Sequence, residues 1–262
     1  MNRVEQYEEL LKHTIGLDDT FHFHCTECGK CCKNRDDILL NPYDLYRIAS
    51  FLNVEMGQVI QDYCVWYVGQ TSKLPVVAVN FKDDCPFLED NRCRIHAAKP
   101  TVCALYPLGR AGTEDGIRYI VQDVKGGTEE EEHTVRAWLS GYGLDDSEVW
   151  FVEWQKTILP LTERMNAIAE KTSERILNMI AQGLLVALYV NYDRKRPFLP
   201  QFKENVRKID GMLTGIEGTI AEISYHKEDI AALEQGFKNT VDDYLEFITN
   251  LPRTAKDLEK GE

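Results

Sequence analysis

The chain has 262 residues, 44% of them hydrophobic, and its 43 acidic and 30 basic side chains leave a formal charge of −13. That length admits one large domain or two small ones, and the apolar fraction suffices for a sizeable core. The acidic balance opposes non-specific binding to nucleic acid or to an anionic lipid surface.

Residues 1–11 are polar and charged, without the apolar stretch of a signal peptide. The longest apolar run, Gly183 to Val190, is too short to cross a bilayer. These features predict a soluble cytoplasmic protein with no nucleic-acid or membrane partner. Stable disulfides are rare in that compartment, so the eight cysteines point to metal rather than to a disulfide framework.

In chain order, Val4 to His13 has the spacing of a short helix, with Val4, Tyr7, Leu10 and Leu11 on one face. A first cysteine loop follows over 21–33. Asn41-Pro42 then opens a helix, with Asn as N-cap and Pro at the first helical position, and Leu45, Ile48, Ala49 and Leu52 face inward. The pattern over 54–67 predicts a second helix that carries Cys64 on its apolar face. Leu74 to Phe81 reads as a strand, and Cys85 to Arg94 is a second cysteine loop. Lys99-Pro100 opens a short helix that carries Cys103. Ile117 to Val124 alternates as a strand would, and it is expected to pair with the first strand.

Beyond Lys125-Gly126-Gly127 the cysteines cease and helical patterns take over, at about 129–140, 146–158, 161–190, 200–214 and 226–250. The acidic run Glu129 to Glu132 would sit at the first helix's N-terminus, where negative charge is favourable. Met165, Ile168, Ile176, Met179, Ile180 and Leu184 fall on one core-facing stripe. The tail 254–262 is charged and is expected to fray.

Four of the eight cysteines, Cys25, Cys28, Cys31 and Cys32, fall within eight residues. A Cys-x2-Cys turn lets two thiolates converge on one ion, and Gly29 relaxes the backbone where that turn tightens. Cys31 and Cys32 are adjacent, and neighbouring side chains diverge in an extended chain. Either they serve two centres, or one is a ligand and the other packs nearby. Cys85 and Cys93 form two arms of the second loop, with Cys103 on the helix after it. The candidate metal ligands are therefore Cys25, Cys28, Cys31, Cys32, Cys85, Cys93 and Cys103, for an iron–sulfur cluster or zinc. Cys64 reads as a buried core thiol. His24 and His96 lie beside the clusters and read as solvent-facing or hydrogen-bonded groups, and Asp36, Asp37, Asp83 and Asp84 read as loop solvation and caps.

Other chemistries lack their signatures. There is no phosphate loop or dinucleotide fingerprint, no His-Glu-x-x-His, and no nucleophile elbow. The opening Cys25-x2-Cys28-x2-Cys31 matches the start of a bacterial ferredoxin run, but no further cysteine follows at the required interval.

Taken together, the two loops resemble the YkgJ-type cysteine-cluster family, whose members are described as zinc- or iron-chelating domains. The resemblance rests on Cys25-x2-Cys28-Gly29-Lys30-Cys31-Cys32, Cys85-Pro86-Phe87-Leu88, Cys93-x-Ile95-His96 and Lys99-Pro100-x2-Cys103-x2-Tyr106-Pro107, and it covers about residues 20–125. The chain departs from the family's pattern at Lys99, where Arg is usual, and over 121–125, where many members carry a further cysteine. Flagellin lysine N-methylases are similar in the same cluster, which implies methyl transfer as a remoter reading.

The expected fold is α+β and mostly α. A cysteine-rich metal-binding loop domain with a small antiparallel sheet occupies 1–127, and a helical region occupies 128–262. The expected function is metal binding through an iron–sulfur cluster or zinc, in redox or electron transfer. The rival expectation is a non-enzymatic, zinc-stapled module whose helices bind a protein partner.

Overall fold

The computed structural model describes residues 13–26, 29, 32–33, 37–82, 84–90, 92–113, 116–122, 126–225 and 230–249. The fold is α+β and mostly α, with small antiparallel sheets, as the sequence leads one to expect. The helix expected over 4–13 lies outside the described residues except for His13, and so do Asp36, Asp83 and the 254–262 tail.

Two units make up the chain. The first contains the described residues up to Leu40 together with Ala78–Phe151, and the second contains Asn41–Val77 and the chain from Val152 onward. The boundary expected at 127/128 falls inside the first unit, just before a strand that belongs to it.

In the first unit, strands β1 (Thr14–Ile15) and β2 (Thr20–His24) come first, followed by β3 (Leu39–Leu40). The segment passes to the end of β5 (Pro75–Val79), where the Val79 N–H donates to the Ile38 carbonyl at 3.0 Å. A small hairpin of β6 (Leu88–Glu89) and β7 (Arg92–Cys93) leads through a 3-10 turn (His96–Ala98) into helix α3 (Thr101–Leu105). Strands β8 (Leu108–Thr113) and β9 (Gly116–Val121) then pair antiparallel, and β1 adds to the far edge of β9. The strand expected at 117–124 thus exists, but its partners are Leu108–Thr113 and Thr14–Ile15 rather than the 74–81 strand.

The acidic run is also placed differently. Thr128–Thr134 is a strand, β10, that pairs antiparallel with β2 through Thr134↔Thr20, His133↔Phe21 and Glu132↔His22. Helix α4 (Val135–Gly141) starts only afterwards, capped by the Thr134 hydroxyl, which accepts from the Ala137 N–H at 3.1 Å. Pairing with β2 wins over helix propensity, because cross-strand neighbours decide strand stability. Glu132 lies 3.7 Å from His22 and Glu131 lies 2.9 Å from His24, so two of the carboxylates meet imidazoles across the ladder.

In the second unit, helix α1 (Pro42–Leu52) begins where the sequence places it. The Asn41 side chain accepts from the Asp44 N–H at 2.9 Å, and the Asp44 carboxylate accepts from the Asn41 N–H at 3.2 Å, forming a capping box. Leu45, Ile48 and Ala49 are buried on its inner face. Helix α2 (Met56–Tyr63) ends earlier than the sequence suggests, and Cys64–Val68 forms strand β4. The run Val65-Trp66-Tyr67 is β-branched and aromatic, which explains the switch. A tight turn follows, where the Gly69 N–H donates to the Leu74 carbonyl at 2.9 Å.

Helix α5 (Ser147–Ala169) begins in the first unit and continues into the second; α6 (Glu174–Leu185), a π-helical turn (Val186–Val190), α7 (Phe198–Tyr225) and α8 (Ile230–Thr249) complete the latter. The single helix expected over 161–190 is broken at 170–173, where Ser173 caps α6 by accepting from the Ile176 N–H. Of the expected stripe, Met165, Ile168, Ile176, Ile180 and Leu184 are buried and Met179 is only half-buried, while Phe202, Ile209, Leu213, Ile216, Phe237 and Val241 add to the core. Among the described residues no helix is long and apolar enough to cross a membrane.

The capping box makes a direct prediction. Asn41→Ala should lower the stability of the second unit by ~1 kcal/mol, read as a shift of the denaturant midpoint followed by circular dichroism. An unchanged midpoint would contradict the assignment of that cap.

Candidate metal centre

The strand β2 alternates in the manner of a half-buried strand, with Phe21 and Phe23 buried and His22 exposed. It delivers the chain to Cys25 at its end. Gly29 follows with φ +68°, a left-handed conformation that glycine adopts without strain. The Cys32 N–H donates to the Gly29 carbonyl at 3.0 Å, which closes the turn and fixes the position of Cys32.

The second cysteine segment is anchored from below. Phe87 and Ile95 flank the β6–β7 hairpin and are fully buried. The Leu88 N–H donates to the Cys85 carbonyl and the Arg94 N–H to the Phe87 carbonyl, both at 2.9 Å. Cys93 sits opposite Leu88 in the ladder. On α3, the Cys103 N–H donates to the Pro100 carbonyl at 2.9 Å. The Trp138 indole N–H on α4 donates to the Ala104 carbonyl at 3.0 Å and holds α3 in place.

These elements surround one cavity of about 170 Å³ within the first unit. Cys25 and Cys32 from the first segment and Cys93 and Cys103 from the second line it, together with His96. Cys85 does not line the cavity; its N–H donates to the Cys32 carbonyl at 3.3 Å, and the backbones of Lys33 and Asp84 form an antiparallel β-bridge beside it. Cys28 and Cys31 lie outside the described residues. Among the described residues, no three His, Cys, Asp or Glu side chains come close enough to hold a metal ion by themselves. The six described cysteines are all thiols.

A second wall of the cavity is aromatic. Phe23 meets Tyr106 edge-on with centroids 5.8 Å apart and meets Trp138 at 5.7 Å, and Trp138 meets Tyr142 at 5.4 Å. Two cations, Arg92 and Lys99, also line it, and the Lys99 ammonium lies 5.1 Å from the centre of the Tyr142 ring. Gly126 and Gly127 close the cavity's edge. A Cβ at Gly127 would lie 2.4 Å from the Phe23 ring and 2.5 Å from the His24 carbonyl oxygen, at φ +85°. Only glycine lets this backbone approach the ring so closely.

None of the aromatic side chains on this wall is picked out as functional by the cysteine pattern, although two signals for it are present. Thr20 to His24 alternates with period two, which is the mark of a strand rather than a loop. Gly126-Gly127 reads as a domain break, yet it is a point of close approach. His96 lines the cavity with its ring 5.5 Å from that of Tyr142, whereas His24 pairs with Glu131.

The donor chemistry fits a soft or borderline metal. Thiolates select zinc and iron–sulfur clusters, and imidazole suits zinc and iron. Four of the motif cysteines and His96 thus line one cavity. Residues 24–132 match the model of the CxxCxxCC family, described as a "Putative zinc- or iron-chelating domain", so the resemblance carried by the cysteines holds over this segment. The chain is also similar to the uncharacterized protein MJ0661 of Methanocaldococcus jannaschii, with 30% identity over 87 residues, 32% of this chain and 44% of that protein. The chain thus spans less than half the length of this relative. No solved structure matches the chain.

Cys64 stands apart. It opens β4 rather than riding a helix, and it is 8% exposed. Burial pushes its thiol up to about 12 from an ordinary 9.0. The folded thiol keeps its proton where the unfolded chain loses it, so stability falls as pH climbs between those two values. Cys64→Ala should therefore reduce the alkaline loss of stability, and iodoacetamide at mildly alkaline pH should leave native Cys64 unmodified while labelling it after denaturation. Labelling of native Cys64 at the denatured rate would contradict its burial.

Proposed function

We propose that the first unit holds a thiolate-ligated iron–sulfur centre that serves electron transfer. Cys25, Cys32, Cys93 and Cys103 are its core ligands, with Cys28, Cys31 and Cys85 available to complete it. The observation that carries this reading is that cysteines from both segments line one cavity. Seven motif cysteines exceed the four thiolates of a closed structural zinc site. An iron–sulfur cluster, when bound, supplies one-electron chemistry whose potential is tuned by hydrogen bonds to sulfur and by exposure. In this cavity Trp138, Tyr106 and Phe23 would limit water, while Lys99 and Arg92 would offset thiolate charge.

A second reading is zinc that staples the two segments, with the helical unit serving a protein partner. It is favoured by the backbone contacts that already join the segments, Cys85 N–H to the Cys32 carbonyl and Lys33 to Asp84.

Anaerobic purification followed by metal and sulfide analysis separates the two. The iron–sulfur reading predicts a brown protein containing iron and acid-labile sulfide, with a visible charge-transfer band that bleaches on reduction. Cys93→Ser and Cys28→Ser should each lower the metal content, and Cys64→Ala should leave it unchanged. A colourless protein with stoichiometric zinc would overturn the redox reading in favour of the staple. A protein that takes up neither metal would overturn both.

A further inference from the structure

Strand β4 of the second unit has an open edge. In its sheet it stands at the margin, with β5 on one side and, among the described residues, no strand on the other. Three consecutive side chains on it are apolar and exposed: Val65 at 43%, Trp66 at 37% and Tyr67 at 50%. Consecutive residues of a strand point to opposite faces, so neither face is fully covered around Trp66. The backbone is open in the same place. The Gly69 N–H is directed across the hairpin to the Leu74 carbonyl. At the period of two of an antiparallel ladder, Val65 and Tyr67 turn their backbone groups to β5, and Trp66 and Val68 turn theirs outward.

Open edges are ordinarily blunted by charged side chains, by proline or by a bulge. The chain does this elsewhere: β10 is also an edge strand, and it carries Glu129 to Glu132. On β4 no charge and no proline interrupts the edge. The ten residues 63–72 contain no charged side chain, in a chain with 43 acidic and 30 basic residues. Asp62, exposed near the end of α2, and Lys73, in the hairpin turn, bracket that run. An added strand therefore meets an apolar edge with an acid at one end and a base at the other.

The edge is complementary to itself. In an antiparallel pair of β4 strands centred on Trp66, each Val65 stands opposite the Tyr67 of the second copy, and Trp66 stands opposite Trp66. Aromatic against β-branched and aromatic against aromatic are favourable cross-strand pairs. The same orientation brings the Asp62 end of each copy to the Lys73 end of the other, so acid meets base twice. A two-fold axis closes the contact, and pairing stops at two copies.

We infer that β4 is a self-association edge, through which two copies of this chain pair antiparallel about a two-fold axis at Trp66. Five residues a side bury less than the roughly 1,200 Å² of a stable interface, so the dimer is transient, with half-association at about 100 μM. The pairing does not depend on the metal reading.

The test uses the full chain, purified anaerobically under reducing conditions so that cysteine cross-links play no part, with metal content measured on every sample. In sedimentation equilibrium the mass should rise from 30.1 kDa toward twice that value with concentration. In residue-resolved hydrogen exchange the Trp66 and Val68 amides should gain protection over the same range, while those of Val65 and Tyr67 stay unchanged. Trp66→Lys sets like charges opposite each other and should abolish the dimer. Asp62→Lys and Lys73→Asp should each weaken it about fivefold, and the double variant should restore it. These two surface changes decide the matter even where Trp66→Lys does not fold. A mass that stays at 30.1 kDa up to about 1 mM would overturn the inference, also where the Trp66 amide gains protection only on adding a different protein. A dimer that survives Trp66→Lys, or that the double charge swap fails to restore, would place the interface elsewhere and overturn it too.

Discussion

Cysteine thiols from two distant segments line one cavity, and a soft metal would bind them only as thiolates, whose charges need that cation between them. The first unit is built around that constraint. Its strands are short, its hairpin is four paired residues, and its cavity is lined by cysteines from two segments that lie far apart in sequence. Apolar anchoring is concentrated in a few side chains, with Phe87 and Ile95 beneath the hairpin and Phe21 and Phe23 on β2. Those anchors aim the cysteines. A bound metal would displace their protons and join the two segments through metal–sulfur bonds, coupling its affinity to the folding free energy of the unit.

The second unit depends on a different force. Its helices bury a continuous apolar stripe, from Leu45 and Ile48 through Met165, Ile180 and Leu184 to Phe202, Leu213 and Phe237. Burial of that apolar surface, worth about 25 cal/mol per Å², is the main force that holds such a bundle. Two of its buried polar side chains, Gln201 and Asn205, are satisfied locally. The Gln201 amide spans the link before α7, accepting from the Asp193 N–H and donating to the carbonyls of Asp193, Arg196 and Pro197, and Asn205 bonds to Asn191 in both directions. Arg164 clamps Glu217 and Asp210 at the partly exposed edge of the bundle.

Much of this was legible in the sequence where the signal was local. Asn41-Pro42 announced a capped helix because capping chemistry needs only four residues. The apolar stripe from Met165 to Leu184 was readable because helical periodicity is regular, and the mostly α, α+β class followed from it. The cysteine spacing pointed to metal because so few other chemistries need thiols so close together. The features that were not legible depend on pairing between distant segments. Glu129 to Glu132 has the composition of a helix start, and only the presence of β2 alongside makes it a strand. Cys64 follows a helical pattern until Val65-Trp66-Tyr67 turns the chain into β4. The grouping of Asn41–Val77 with the C-terminal helices leaves no compositional trace. Nor does the cysteine pattern mention the ring wall, because Phe23, Trp138 and Tyr142 come from separate elements and acquire a common role only when folded.

The most direct test of this account is hydrogen exchange before and after chelation. If metal organises the first unit, removing it should erase amide protection over β2, the β6–β7 hairpin, α3 and β10 together, while α6 and α7 keep theirs. Protection in those strands that persists unchanged after complete metal removal would contradict the account, since the cysteine segments would then be held by packing alone.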